Sequence, residues 1–265
     1  MGFDSIFMIG DDHQVCEDYA LANGNCLVLS DGCSSSVNTD IGSRMLCHAV
    51  HNNINIFRNM NFSLDDRLNL VLYESIKALK MVGLSEDAAL CTLLMAIEYP
   101  SSISFHIIGD GSIFLVKKNK DIIVYDISFP SNAPKYLSYR LSSGNRERFN
   151  EIDKGRKIDK WIIKGDGVEL LSSDFEAPGS YKDVKTFFID KSELKVAGMA
   201  SDGMGSFYTS KNTFLDTINI YKSFLPFKNL KGEFVKRRLK RFEKTLKEDG
   251  NTKHYDDISV AAMTL

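Results

Sequence analysis

Residues 26–32 read Cys-Leu-Val-Leu-Ser-Asp-Gly, and residues 196–203 read Val-Ala-Gly-Met-Ala-Ser-Asp-Gly. Each is a short apolar, β-prone run that stops at Asp-Gly, so Asp31 and Asp202 fall where a buried strand meets a loop. Residues 105–111, Phe-His-Ile-Ile-Gly-Asp-Gly, put Asp110 in the same setting. Near the C-terminus His-Tyr-Asp-Asp-Ile-Ser-Val-Ala-Ala-Met, residues 254–263, sets Asp256 and Asp257 directly before a strand. One Asp-Gly alone reads as an ordinary turn. Repetition of the fuller string, with an acidic pair opening the last strand, reverses that reading. Carboxylates at buried strand ends are costly unless they are paired or bind metal. Several converging on one place suit hard, oxygen-seeking cations such as Mg²⁺ or Mn²⁺.

Further β-like runs lie at 90–97, 103–108, 113–117, 122–125, 161–164 and 258–265. Gly109-Asp110-Gly111 joins two of them as a tight hairpin. Three segments carry apolar residues at helical spacing: one from Asp40, as N-cap, to Phe57; one from Ser63 to Gly83, the glycine in the C′ place; and one over 232–247. Helices segregated from consecutive strands predict an α+β fold, with antiparallel sheets covered by helices. The 265 residues carry no repeat or linker that divides them, so a single domain over 1–265 is expected.

Composition narrows the class. Apolar residues are 43% and charged ones 26%, ordinary for a globular enzyme, and the formal charge of −2 argues against general affinity for nucleic acid or an anionic membrane. No apolar run reaches membrane-spanning length, and the first residues lack a signal-peptide order. Cys16, Cys26, Cys33, Cys47 and Cys91 form no metal-type spacing; an odd, irregular set reads as free thiols of a cytoplasmic protein.

The ordered set Glu17-Asp18, Ser30-Asp31-Gly32, Gly109-Asp110-Gly111, Ser201-Asp202-Gly203 and Asp256-Asp257-Ile258-Ser259-Val260 resembles the protein phosphatase 2C family of metal-dependent Ser/Thr phosphatases, and is similar to divergent bacterial-type members. The resemblance runs from about residue 9 to the C-terminus. It implies a central antiparallel β-sandwich flanked by helices on both faces, four layers in all. It also implies two divalent cations, Mg²⁺ or Mn²⁺, held by Asp31 as the bridging ligand, the Gly32 carbonyl, Asp202, Asp256 and, through water, Glu17. Asp18 would act as an acceptor behind the ligands and Asp110 as a ligand of a weaker third metal. The reaction implied is hydrolysis of phosphoserine and phosphothreonine in protein substrates by a hydroxide bridging the metals.

Three positions depart from the family's pattern. His13 stands where the family carries a phosphate-binding arginine, and an imidazole is a weaker clamp than a guanidinium. Cys33 stands where a histidine often follows the first Asp-Gly, so a common general acid is missing. Ser206 replaces the acidic partner expected four residues after Asp202. His13 is therefore a candidate catalytic and substrate-binding residue, and Arg44 a candidate source of the positive charge His13 lacks, against a solvated surface arginine. The Lys- and Arg-rich stripe over 231–247 reads as a solvated helix face, and His48 with His51 as surface histidines. The polar block 126–195 is expected to form a hairpin and a flap over the site. Two other functions stay open: a phosphatase-like module that binds without turnover, and a hydrolase of small phosphorylated compounds.

Overall fold

The computed structural model describes residues 2–58, 61–211, 213–250 and 252–265, with side chains at 249 and 250 left out. In chain order the strands and helices are β1 (Phe3–Met8), β2 (Tyr19–Asn23), β3 (Cys26–Ser30), α1 (Thr39–Asn52), α2 (Ile54–Arg58), α3 (Leu64–Met81), β4 (Leu93–Glu98), β5 (Ser102–Ile108), β6 (Gly111–Lys117) and β7 (Ile122–Ser128). The second half holds α4 (Ser143–Ile152), β8 (Arg156–Lys164), β9 (Gly167–Glu176), β10 (Val184–Asp190), β11 (Leu194–Ala200), β12 (Phe207–Tyr208), α5 (Thr217–Phe224), α6 (Phe234–Gly250), β13 (Lys253–His254) and β14 (Ile258–Thr264).

Two antiparallel sheets face each other, one in the order β1-β14-β11-β6-β7-β8-β9 and the other β10-β5-β4-β3-β2. Strand alternation explains why the decisive strands are apolar throughout. In β3, Leu27 and Leu29 point into the core between the sheets, with Phe105, Ile113 and Met199. Cys26 and Val28 point the other way, against Leu46 and Val50 of α1 and Leu68, Val71 and Leu72 of α3. β11 and β14 do the same: Ala197, Met199 and Ala261 face the partner sheet, while Val196, Val260 and Ala262 meet Phe224 of α5 and Val235 and Leu239 of α6. A strand buried on both faces needs apolar residues at every position, and each fully buried Leu, Val or Phe contributes about 1.5–3 kcal/mol. The four-layer α-β-β-α sandwich is the architecture expected.

Local signals hold in part. Ser63 caps α3 by accepting the Asp66 amide at 3.1 Å, and Gly83 after it is left-handed at φ +79°. The helix expected from Asp40 to Phe57 is broken at Asn53 into α1 and α2, and its N-cap is Asn38, left-handed at φ +60°, with Asp40 in the first turn. The strand expected from Leu90 begins at Leu93, because Cys91 makes only an isolated bridge to Gly32. The block after Asp126 forms the β8–β9 hairpin and α4, with a satellite core of Phe129, Phe149 and Tyr181 beside the main sandwich.

Candidate active site

Antiparallel pairing decides where the acids meet. Ala200 of β11 pairs with Ser112 of β6 and Val260 of β14, Met8 of β1 with Ile258, and Tyr19 of β2 with Ser30 of β3. The C-terminal ends of β3 and β11 and the N-terminal ends of β2, β6 and β14 therefore share one end of the sandwich. All the singled-out acids lie at those ends.

Asp31 is fixed through its backbone. Its amide donates to Thr92 Oγ1 at 3.0 Å and its carbonyl accepts the Thr92 amide at 2.8 Å, while Ser30 Oγ donates to the Thr92 carbonyl at 2.6 Å. Asp202 opens a single 3₁₀ turn, Asp202–Gly205. Just before it, Ser201 ties three segments together: its amide donates to the Ser259 carbonyl at 3.0 Å, its Oγ accepts the Ser259 amide at 2.9 Å and donates to Asp18 Oδ2 at 2.7 Å.

Asp31, Gly32, Asp110, Asp202 and Asp256 line one cavity of about 280 Å³, with Cys33, Thr92, Asn132 and Tyr136 completing its wall. No Lys, Arg or His lines it among the described residues. The carboxylates therefore act on each other. Burial, then the charges of Asp18, Asp202 and Asp256, holds the Asp31 carboxyl well above its usual range. Burial and Asp202 do the same to Asp110, and push Asp256 up to about 6. Asp18, fully buried, is pushed up to about 7 by its burial, and its Oδ1 has no hydrogen-bond partner. Four clustered carboxylates, their mutual repulsion, no basic neighbour in the wall and an orphaned carboxylate oxygen behind Asp31 all fit a group of divalent cations. A further carboxyl, Asp126, lines an adjoining cavity with Asp110 and Asp202, and burial followed by the charge of Asp159 pushes it up to about 6.

Glu17 lies in a second cluster beside the cavity. Donor atoms of His13, Glu17 and Asp257 all fall within 4.8 Å of one another. Asp257 ties the N-terminal loop to β14, accepting the Gly10 amide at 2.7 Å and the Glu17 amide at 2.6 Å. Thr39 Oγ1 donates to Glu17 Oε1 at 2.8 Å. The His13 ring joins the two clusters, with Nδ1 3.2 Å from Asp257 Oδ2 and Nε2 3.6 Å from Asp256 Oδ1. Burial alone would lower its pKa, but Asp257, Asp256 and Glu17 outweigh it and raise the imidazole above its ordinary value.

Arg44 belongs to neither cluster. Its guanidinium lies 5.0 Å over the Tyr19 ring and 5.5 Å over Phe7, and its Nε donates to the Asp40 carbonyl at 3.1 Å. Ser206 does not line the cavity, and its buried Oγ has no partner. Thr39 and Thr92 belong to no motif, and the ties made by Ser201 and Asp257 rest on pairings between distant strands. The flap expectation has a counterpart in Asn132, Pro134 and Tyr136, which reach the cavity from the start of that block.

The glycines beside Asp110 and Asp202 serve different needs. Gly109 and Gly111 take left-handed φ of +93° and +119°, as a tight hairpin turn requires. Gly203 does not; a Cβ there would lie 1.8 Å from the Asp257 carbonyl oxygen. Gly203→Ala is expected to cost at least about 2–3 kcal/mol, because it pushes the Asp202 turn off the start of β14. Thermal unfolding in chelator checks this; an unchanged midpoint would mean the two segments separate freely.

An α-β-β-α sandwich with an all-oxygen acid cluster at one strand end is a fold and site suited to hard cations. The family profile described as Protein phosphatase 2C matches residues 10–189, and the chain belongs to that family. Among solved structures, serine/threonine phosphatase Stp1 from Staphylococcus aureus superposes with a TM-score of 0.58 at 11% identity, covering 99% of this chain and 94% of that one. The PPM Ser-Thr phosphatase MsPP from Mycobacterium smegmatis, in complex with cacodylate, gives 0.54 at 13% identity, covering 100% and 98%. The catalytic domain of serine threonine protein phosphatase PstP, in complex with two manganese ions, gives 0.50 at 13%, with the same coverage. Identities this low speak for the fold alone. No curated protein matches the sequence significantly.

Proposed function

We propose that this chain, as one catalytic domain, is a metal-dependent phosphatase that hydrolyses phosphoserine and phosphothreonine in proteins. The observation that carries the proposal is the cavity walled by Asp31, Asp110, Asp202 and Asp256 with no basic side chain among its described lining residues. Family membership supports the reaction class.

Asp31, the Gly32 carbonyl, Asp202 and Asp256 would hold two divalent cations, Mn²⁺ or Mg²⁺, with Glu17 reaching them from the adjoining cluster. When bound, the cations would supply positive charge for the phosphoryl oxygens and acidify the water that attacks phosphorus. The residues of the chain do the positioning. The Thr92 bonds set the direction of Asp31, and Ser201 holds Asp18 behind it. Asp257 anchors the loop carrying His13 and Glu17. Asp110, which shares an adjoining cavity with Asp126, would be a ligand of a weaker third cation. The five cysteines are free thiols, which suits the cytoplasm, and no described helix is long and apolar enough to cross a membrane.

The experiment is phosphate release from a phosphoserine peptide by chelator-treated protein with and without Mn²⁺, compared with p-nitrophenyl phosphate. Metal-dependent release from the peptide supports the proposal. Turnover of the small ester alone would move the function to small phosphorylated compounds.

The second reading, binding without efficient turnover, is favoured by one observation. The candidate clamp His13 leans on Asp256 and Asp257, and Arg44 lies over aromatic rings, so neither presents a free cation to phosphate. A high KM is the expected consequence. His13→Arg should lower KM for the peptide at pH 8 by at least about threefold, since a guanidinium stays charged and can reach past one carboxylate. In the native protein KM should be higher at pH 8 than at pH 6. A KM indifferent to both changes removes His13 from substrate binding.

A further inference from the structure

An apolar cavity lies on the outer face of the seven-stranded sheet, at the end of β6 and β11 opposite the acid cluster. From Lys195 to Asp202 the chain spans roughly 20 Å, at about 3.3 Å per strand residue. The cavity has a volume of about 400 Å³. Its floor is Val116, Ile122, Ile163 and Val196 of the sheet, and its roof is Leu225 and Phe227 from the loop between α5 and α6. Phe227 is itself fixed edge-on against Phe224 and Phe234, with ring centroids 5.7 and 5.4 Å away.

Five lysines surround this apolar space: Lys117, Lys120, Lys195, Lys222 and Lys228. No Asp or Glu lines it among the described residues. In a chain with 35 acidic and 33 basic residues, such segregation is unusual. Four of the lysines have no carboxylate within 4.0 Å among the described residues, and Lys222 has only Asp166, whose carbonyl accepts from its Nζ at 2.7 Å and whose carboxylate is 4.0 Å away. The basic wall continues past Phe227 and Lys228 into a cleft of about 180 Å³ lined by Arg237, Arg238 and Arg241. The stripe on α6 is largely solvated, as expected, and three of its arginines border this cleft beside the cavity.

A cavity of this size with apolar walls and a few converging charges has the form of a small-molecule site. Four lysines around one cavity with no carboxylate partner among the described residues leave positive charge uncompensated there, and an anion would offset it. We infer that the cavity binds an amphipathic anion: an alkyl or aryl body lying between the sheet and Phe227, with a phosphate or carboxylate head held by Lys195, Lys222 and Lys228. The site is separate from the acid cluster and does not depend on the reaction proposed above.

The test is calorimetric titration of the full chain with decyl phosphate below its micelle concentration, at low salt. Decanol, inorganic phosphate and decyltrimethylammonium serve as parallel probes. One decyl phosphate should bind per chain, at least about tenfold tighter than any of the others, because only it satisfies both body and head. Lys195→Glu combined with Lys228→Glu changes two exposed side chains and should weaken binding by about tenfold or more, while the melting temperature stays within a degree or two. Equal affinity for decanol, or no loss in the double variant, would overturn the inference. Binding to anionic phosphatidylglycerol vesicles without binding of monomeric decyl phosphate would overturn it too, making the patch a membrane-contact surface.

Discussion

Asp31→Ala is expected to lower phosphatase turnover by about a thousandfold or more, equivalent to roughly 4 kcal/mol of transition-state stabilisation, while leaving the metal-free fold as stable as before or more so. Both halves follow from one feature. Asp31 is the carboxylate whose neighbours include Asp18, Asp202 and Asp256 together, so it is the group through which a shared cation cluster would be held. Without cations, its burial and the charges of those same neighbours disfavour its ionised form. Its backbone bonds to Thr92 do not involve the carboxyl and survive the substitution. Activity and thermal midpoint should be measured on one preparation, the midpoint in chelator. An inactive variant that also melts several degrees lower would make Asp31 a structural residue, and an active one would remove it from the site.

The second large effect is on stability against pH. In the folded, metal-free chain Asp256 and Asp126 titrate at about 6 and Asp18 at about 7, all above the ordinary carboxyl range. A carboxyl raised on folding stabilises when protonated. Its contribution is complete below about pH 4 and disappears as pH rises through its folded value. The His13 imidazole, also raised, runs in the same direction. Glu176 and Asp183 run oppositely. Burial alone would raise them, but their basic partners lower them, so their contribution is lost only in acid, outside this window. The chelated protein should therefore lose at least about 5 °C in melting temperature between pH 5 and pH 8, some 2 kcal/mol. Millimolar Mn²⁺ at pH 8 should restore it, since cations bind the folded state alone. A midpoint that is flat or rises across this range would mean that the acids are not buried against one another.

Much of this was legible in the sequence because it is local. Strands covered on both faces must be apolar throughout, and 26–30 and 196–200 are. The acids that end them could be assigned to one site from repetition alone, and Asp31, Asp110, Asp202 and Asp256 do meet. What was hidden depends on partners far apart in the chain. β1 and β2 are half-buried strands without a clean alternation, and their place is set by β14 and β3. Asp257 adjoins Asp256 just before β14 but is buried away from the cavity, so its bonds to Gly10 and Glu17 have no sequence signal. Ser201 looked like part of a motif, yet it joins β11, β14 and Asp18. Arg44 carried a charge that spacing could not aim, and stacking on Tyr19 and Phe7 takes it elsewhere.

The central claim is that carboxylates from four separate strand ends form one divalent-cation site. Isothermal titration of chelator-stripped protein with Mn²⁺ at pH 7.5 tests it most directly, with the Asp31→Ala and Asp202→Ala variants alongside. Two tightly bound ions per chain, with at least one lost in each variant, is the predicted result. Native protein that takes up no Mn²⁺, or variants that bind it as the native chain does, would contradict the account.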